Sequence, residues 1–226
     1  IRALFFSKLL GFITNDTPFS ATEVFRQLNK ERNNEGKIIS KQLEKLYFWN
    51  DIYSKTNRHL TKSSLTKKNE LFSIYTIFFI YQLLNKLIEF NGDKYLTKFE
   101  LEYFVFFAKT HDDLEDVFQH ILEYRQHENK YELEKFLKSS TRTDKKTKKY
   151  NIFDSRYYSV LHYCELFKFY EDKIELKSGS WDNLSKKVSS FEDLLEKKDI
   201  SNFDDYEDYK KLLYNHRSIL EFFKAV

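Results

Sequence analysis

Apolar residues recur along this chain mostly at helical spacing. Ser20 and Glu23 form a capping-box pair, with Phe19 and Val24 placed as a hydrophobic staple, and the pattern that follows predicts a helix over 21–32. Thr97 with Glu100, between Leu96 and Leu101, marks a second start, for a helix over 98–109. Thr110 with Asp113, ahead of Leu114, marks a third, over 111–126. Periodicity alone adds helices over 3–12, 38–49 and near 131–137. In the 38–49 helix Ile39, Leu43, Leu46 and Tyr47 fall on one face, and Lys41, Glu44, Lys45 and Phe48 on the other. The run from Leu71 to Phe90 is apolar on most sides and ends at Asn91-Gly92, where glycine suits a left-handed cap. Such a helix has to be covered on most sides, which predicts a central strut.

The period changes to two after Leu166. Phe167, Phe169, Ile174 and Leu176 point one way, and Lys168, Tyr170, Lys173, Glu175 and Lys177 the other, about a turn at Glu171-Asp172-Lys173. Just upstream, Phe153, Tyr157, Val160, Leu161 and Cys164 form an apolar stripe, with Ser155, Arg156, Tyr158, Ser159, His162 and Tyr163 opposite. Residues 37–62 carry a weaker copy, a helix followed by a ribbon over 52–61 whose tip runs Ser54-Lys55-Thr56-Asn57-Arg58. A helix passing directly into a two-stranded ribbon is the arrangement of a winged helix, in which the helix enters the DNA major groove and the hairpin follows the backbone. The expected fold is therefore mainly α, with two winged-helix-like units packed on the central apolar helix. Their expected limits are 1–70 and 71–183, with acidic helices over 184–226 leading away as a C-terminal connector.

Only four glycines and one proline, Pro18, interrupt 226 residues, which favours long helices over a many-turned sandwich or barrel. The net charge of +3 decides little, but its distribution does. Between Gly36 and Asn69 there are eight basic and two acidic residues, and between Arg142 and Lys149 five basic and one acidic. Both clusters adjoin a helix–ribbon pattern, where lysine and arginine can neutralise phosphates.

Other chemistries find little support. The single cysteine, Cys164, excludes an internal disulfide framework and a cysteine-based zinc site, and predicts a reducing, cytoplasmic location. The first residues, IRALFFSKLLGF, lack a signal-peptide cleavage site. Leu71 to Leu84 is interrupted by Ser73, Thr76 and Gln82 and falls short of the roughly 18–20 apolar residues a bilayer needs, so no membrane partner is expected. His111, His120 and His127 lack ligand spacing, and no Gly-rich loop supports nucleotide or other small-molecule binding. Glu175-Leu176-Lys177, with Asp154 upstream, has the residue types of a PD-(D/E)xK nuclease site, but Asp154 opens a helical pattern where that site needs a strand. Glu175 and Lys177 are expected to form a polar outer wing face, and no catalytic or metal site is expected here. The absence of methionine suggests a piece of a longer protein.

The segments KYLTKFELEYFVFFAKTHDDLEDVFQHILEYR (94–125) and FDSRYYSVLHYCELFKFYEDKIELK (153–177) resemble the DNA-recognition region of AlwI-type type IIS restriction and nicking endonucleases. The shared features are an LTKxE helix pair ending in an "hxxhR" segment, here Ile121 to Arg125, and a D-x-x-R-Y helix, here Asp154, Arg156 and Tyr157 with one residue fewer between acid and base. A "tGLF" ending reads Cys164-Glu165-Leu166-Phe167, departing from the family at its Thr-Gly. The resemblance extends over about 65–210 and more loosely over 1–64. It implies a monomeric recognition region on a short asymmetric site, with the Mg²⁺-dependent nuclease domain elsewhere in the protein.

The expected function is sequence-specific binding of double-stranded DNA without cutting it and without a cofactor of its own. Base reading falls to Arg156, Ser155, Ser159 and His162 in the second unit and to Lys41 and Lys45 in the first. Arg142, Lys145, Lys146, Lys148, Lys149, Lys168, Lys173, Lys55 and Arg58 are the expected phosphate contacts. Two other classes fit the same pattern: a stand-alone winged-helix transcription regulator dimerising on a palindrome, and a helical protein-interaction scaffold whose basic loops are incidental.

Overall fold

The computed structural model describes residues 2–14, 17–49, 73–140, 161–198, 200, 203 and 206–225, with the helix over Thr76–Asn91 at their centre. Every side chain from Thr76 to Leu84 is buried, as an all-round apolar helix requires. The helix ends at Gly92, whose φ of 82° is left-handed and whose N–H caps the Ile88 carbonyl at 2.9 Å.

Ahead of it come α1 (Arg2–Leu9), α2 (Glu23–Lys30), α3 (Glu35–Glu44), β1 (Tyr47–Trp49) and β2 (Ser73–Tyr75), so the central helix is α4. A single 3₁₀ turn, Arg32–Asn34, joins α2 to α3. After α4 follow β3 (Tyr95–Thr97), α5 (Lys98–Tyr103), α6 (Leu114–Gln126) and α7 (Lys130–Ser140), then β4 (Phe167–Phe169), β5 (Lys173–Leu176), α8 (Trp181–Lys197), α9 (Tyr206–Leu213) and α10 (Ile219–Lys224). β1 and β2 pair antiparallel, with Tyr47 opposite Tyr75. The second sheet has the order β3-β5-β4, both pairings antiparallel, with Ile174 opposite Leu96 on one side and Phe169 on the other. The protein is thus mainly helical with a small three-stranded sheet.

The starts marked by the threonine boxes and the ends at Gln126 and Asn91 agree with the sequence patterns, whereas the central helix begins at Thr76 and not at Leu71, because Ser73–Tyr75 pairs with β1. Both threonine capping boxes form, Thr97 with Glu100 and Thr110 with Asp113. At α2, Thr22 takes the cap expected of Ser20 and accepts from the Phe25 N–H, while Ser20 bonds Thr14 instead. Phe19 is exposed beside Lys8 and Val24 is buried, so the expected staple is replaced by a cation–π contact. The helix expected over 38–49 stops at Glu44, because Tyr47–Trp49 is taken into the pairing with β2. The expected ribbon over 52–61 lies outside the described residues.

The segment 184–226 does not lead away from the body, as its acidic character suggested. Leu184, Val188 and Phe191 of α8 join the same apolar cluster as α4, with Phe78 and Phe191 stacked at 4.0 Å. Tyr209, Leu212 and Leu213 of α9 close over the first unit, so tightly that a Cβ on Gly11 would lie 2.6 Å from the Leu213 carbonyl oxygen. Gly11 has φ 66°, so that approach and that backbone both require glycine. No helix among the described residues is long and apolar enough to cross a membrane.

Candidate nucleic-acid interface

The expected second unit centres on the β4–β5 hairpin. Phe167, Ile174 and Leu176 are buried beneath it and Phe169 half-buried, as their period of two requires. Tyr170 N–H bonds the Lys173 carbonyl at 2.8 Å and closes the turn, while Lys98 N–H bonds the Asp172 carbonyl and ties the tip to α5. On the outer face Lys168 is exposed. Lys173 is engaged within the sheet: its ammonium lies 3.3 Å from Glu175 and stands over the rings of Tyr95 and Tyr170, 5.3 and 5.1 Å from their centroids. Lys168 therefore presents the less encumbered of the two expected phosphate contacts on this hairpin.

Beneath the sheet, the two motifs LTKxE and hxxhR form one physical unit. Glu100 is fully buried and closes the capping box by accepting from Thr97 N–H at 2.8 Å. It also receives the Arg125 guanidinium in a two-point grip, Nε to Oε1 at 2.7 Å and Nη2 to Oε2 at 2.9 Å. Arg125 further donates to Asp93 at 2.6 Å and to the Tyr95 carbonyl at 2.9 Å, and stacks over the Tyr95 ring. Ile121 and Tyr124, the apolar positions of hxxhR, are buried. Both motifs thus fasten β3 and α5 to α6, with Glu100 and Arg125 facing inward and Lys98 exposed.

Only the end of the second candidate recognition helix is described. There Leu161 and Cys164 are buried while His162 and Tyr163 are exposed, with the His162 ring 4.7 Å from that of Phe169. Burial pushes the Cys164 thiol well above its ordinary pKa, which makes it an inert part of the core. Ser155, Arg156 and Ser159 lie outside the described residues, as do Arg142, Lys145, Lys146, Lys148, Lys149, Lys55 and Arg58.

In the first unit the expected face of α3 is corrected. Lys45 is fully buried, its ammonium donating to Gln42 Oε1 at 2.6 Å and to the Asn215 carbonyl, so it presents nothing to a base. Burial, with the Lys41 charge nearby, lowers its pKa from 10.5 to about 7. Glu44 is buried as well. Lys41 is partly exposed and reaches Glu221 of α10 at 3.4 Å. Three exposed cations gather at the α2–α3 turn: Lys30, Arg32 and Lys37, with no ion pair among the described residues. The sequence carried a signal for them, since Asn33-Asn34 breaks the helical pattern and the three cations flank that break.

The described residues hold no group of three or more His, Cys, Asp or Glu placed for a metal ion. Glu175 is half-exposed and engaged by Lys173, and Asp154 lies outside the described residues. His111 serves the fold. Its Nε2 accepts from Tyr75 N–H at 3.1 Å and its Nδ1 donates to Gln82 at 2.7 Å, and burial lowers its pKa to about 3.

No protein-family model matches the chain, and no curated protein matches it. Its fold is similar to that of the BpuJ1 endonuclease binding domain, solved in complex with pyrene- and phenanthrene-modified DNA. The likeness covers 92% of this chain and 73% of that one, with a TM-score of 0.53 and 14% sequence identity.

Proposed function

We propose that this chain is the DNA-recognition region of a restriction endonuclease, and in particular of a type IIS or nicking enzyme of the AlwI type, binding double-stranded DNA in a sequence-specific manner. The observation that carries the reading is the likeness of fold to an endonuclease binding domain over nearly the whole chain. The sheet order β3-β5-β4 supports a winged-helix-like second unit, since a winged helix places its first strand beside the last strand of the hairpin. The joining of LTKxE to hxxhR through Glu100 and Arg125 supports the narrower family reading, because it gives those motifs one shared structural purpose.

In this reading Lys168 and the cations at the α2–α3 turn neutralise phosphates, together with the basic run Arg142–Lys149. Arg156, Ser155, Ser159 and His162 read bases, and Lys41 lies at the margin of the contact. The region binds as a monomer without a metal, and Mg²⁺ serves a nuclease domain elsewhere in the protein. The test is fluorescence anisotropy on a random-sequence duplex in the presence of EDTA. Several simultaneous phosphate contacts give a loss of about a thousandfold or more between roughly 50 and 200 mM salt. Failure to bind, or a flat salt response, removes the reading in favour of a protein-interaction scaffold.

A further inference from the structure

We propose that Glu44, with Lys187 and Tyr81, is a positioning node that holds the two DNA-facing units in one fixed relation, so that both engage the same duplex at once. The inference rests on the DNA-binding reading above. Glu44 is the last residue of α3 and is almost wholly buried. Its carboxylate accepts from the Tyr81 hydroxyl of α4 at 2.9 Å and pairs with the Lys187 ammonium of α8. One turn earlier on α3, Ser40 Oγ accepts from Glu165 N–H at 3.3 Å, on the segment that leads into the wing. The Tyr81 ring also lies against Phe167, the first residue of that wing, with centroids 5.3 Å apart. The helix carrying Lys37 is therefore tied by directional contacts to the root of the strand carrying Lys168.

Apolar packing between the units would not by itself set that relation, because burial of apolar surface has no preferred direction. A buried carboxylate does, since losing either partner leaves an uncompensated charge in the core. The result is that Lys30, Arg32 and Lys37 stand at one separation from Lys168. Two weak contact sets on one rigid body bind as a single stronger one, provided their spacing suits the duplex.

The experiment uses the full chain with nitroxide labels at Lys37→Cys and Lys168→Cys, read by pulsed electron paramagnetic resonance; Cys164 is buried and stays in place. Otherwise native protein should give one narrow distance distribution. The double variant Glu44→Gln/Lys187→Met removes both charges together and should give a broad one. In unlabelled protein the same double variant should lower the slope of log affinity against log salt on a random-sequence duplex by about half, as one unit's phosphates drop out. Lys187→Arg keeps the pair and should leave both readouts at their native values. A double variant that keeps the narrow distribution and the full slope overturns the proposal. Should the double variant not fold, Lys187→Met alone is judged by the same two measurements, its lysine being already 31% exposed. If native protein binds no duplex while the distances still respond, the DNA-binding reading falls and the node stands. Binding with distances indifferent to the variant removes the node alone.

Discussion

Arg125 and Lys45 are both long cationic side chains withdrawn from solvent, and they are stabilised in different ways. Arg125 keeps its charge, because Glu100 and Asp93 surround it with carboxylates in geometry that suits a guanidinium fork. Arg125→Ala strands Glu100 in the core, so the expected cost is about 3–5 kcal/mol in urea unfolding. Arg125→Lys should recover little of it, since one ammonium cannot span both Glu100 oxygens and Asp93. Among the described residues Lys45 has no carboxylate partner, only two carbonyl-type acceptors, which a neutral amine also satisfies. With the folded pKa near 7 and the unfolded value at 10.5, the unfolded chain holds an extra proton throughout that interval. Stability therefore rises as pH increases from about 7 towards 10.5, and the Lys45→Met variant should show a flatter rise in the same denaturation series. Equal slopes in the two proteins would mean that Lys45 stays charged. The sequence placed Lys45 outward because helical spacing puts it there. It is covered by Asn215, a neighbour 170 positions away that no local pattern reveals.

At the scale of elements, what depends on nearby residues was legible and what depends on distant ones was not. The β4–β5 hairpin follows directly from its period of two and its polar turn, and the two threonine boxes mark their helices because both partners lie within one turn. The end of α3 departs from the helical pattern because the competing partner of Tyr47–Trp49 is β2, more than twenty residues on. The inward role of LTKxE and hxxhR was hidden for a similar reason, since Glu100 and Arg125 are 25 positions apart. On the β4–β5 hairpin, pairing separates two lysines that look alike in sequence. Lys168→Ala should lower the salt slope for duplex binding by about one. Lys173→Ala should lower it less, since Glu175 already offsets that charge. The reverse order would show that Lys173 leaves Glu175 on binding.

Across the whole molecule, the main departure from the sequence expectation is how closely the last forty or so residues pack on the body. Their acidic surface suggested a connector, but a charged exterior does not determine what the opposite face of a helix buries. Leu212, Leu213 and Ile219 are buried in the common core, and the Tyr209 hydroxyl donates to the Lys45 carbonyl at 2.8 Å and accepts from Tyr47 N–H at 3.2 Å. Gln42 donates to the Leu10 and Leu213 carbonyls at once, joining the chain's first helix to its later ones through α3. Ending the chain after Ile200 removes all of these partners together. It takes the Leu213 carbonyl from the Gln42 amide and the Asn215 carbonyl from the Lys45 amine, and it exposes the apolar faces of α1 and α3. Such a truncation is expected to lose cooperative unfolding in urea and to bind an apolar dye at neutral pH. A truncated chain that kept a single sharp transition near the native midpoint would make α9 and α10 the connector that their surface charge suggested.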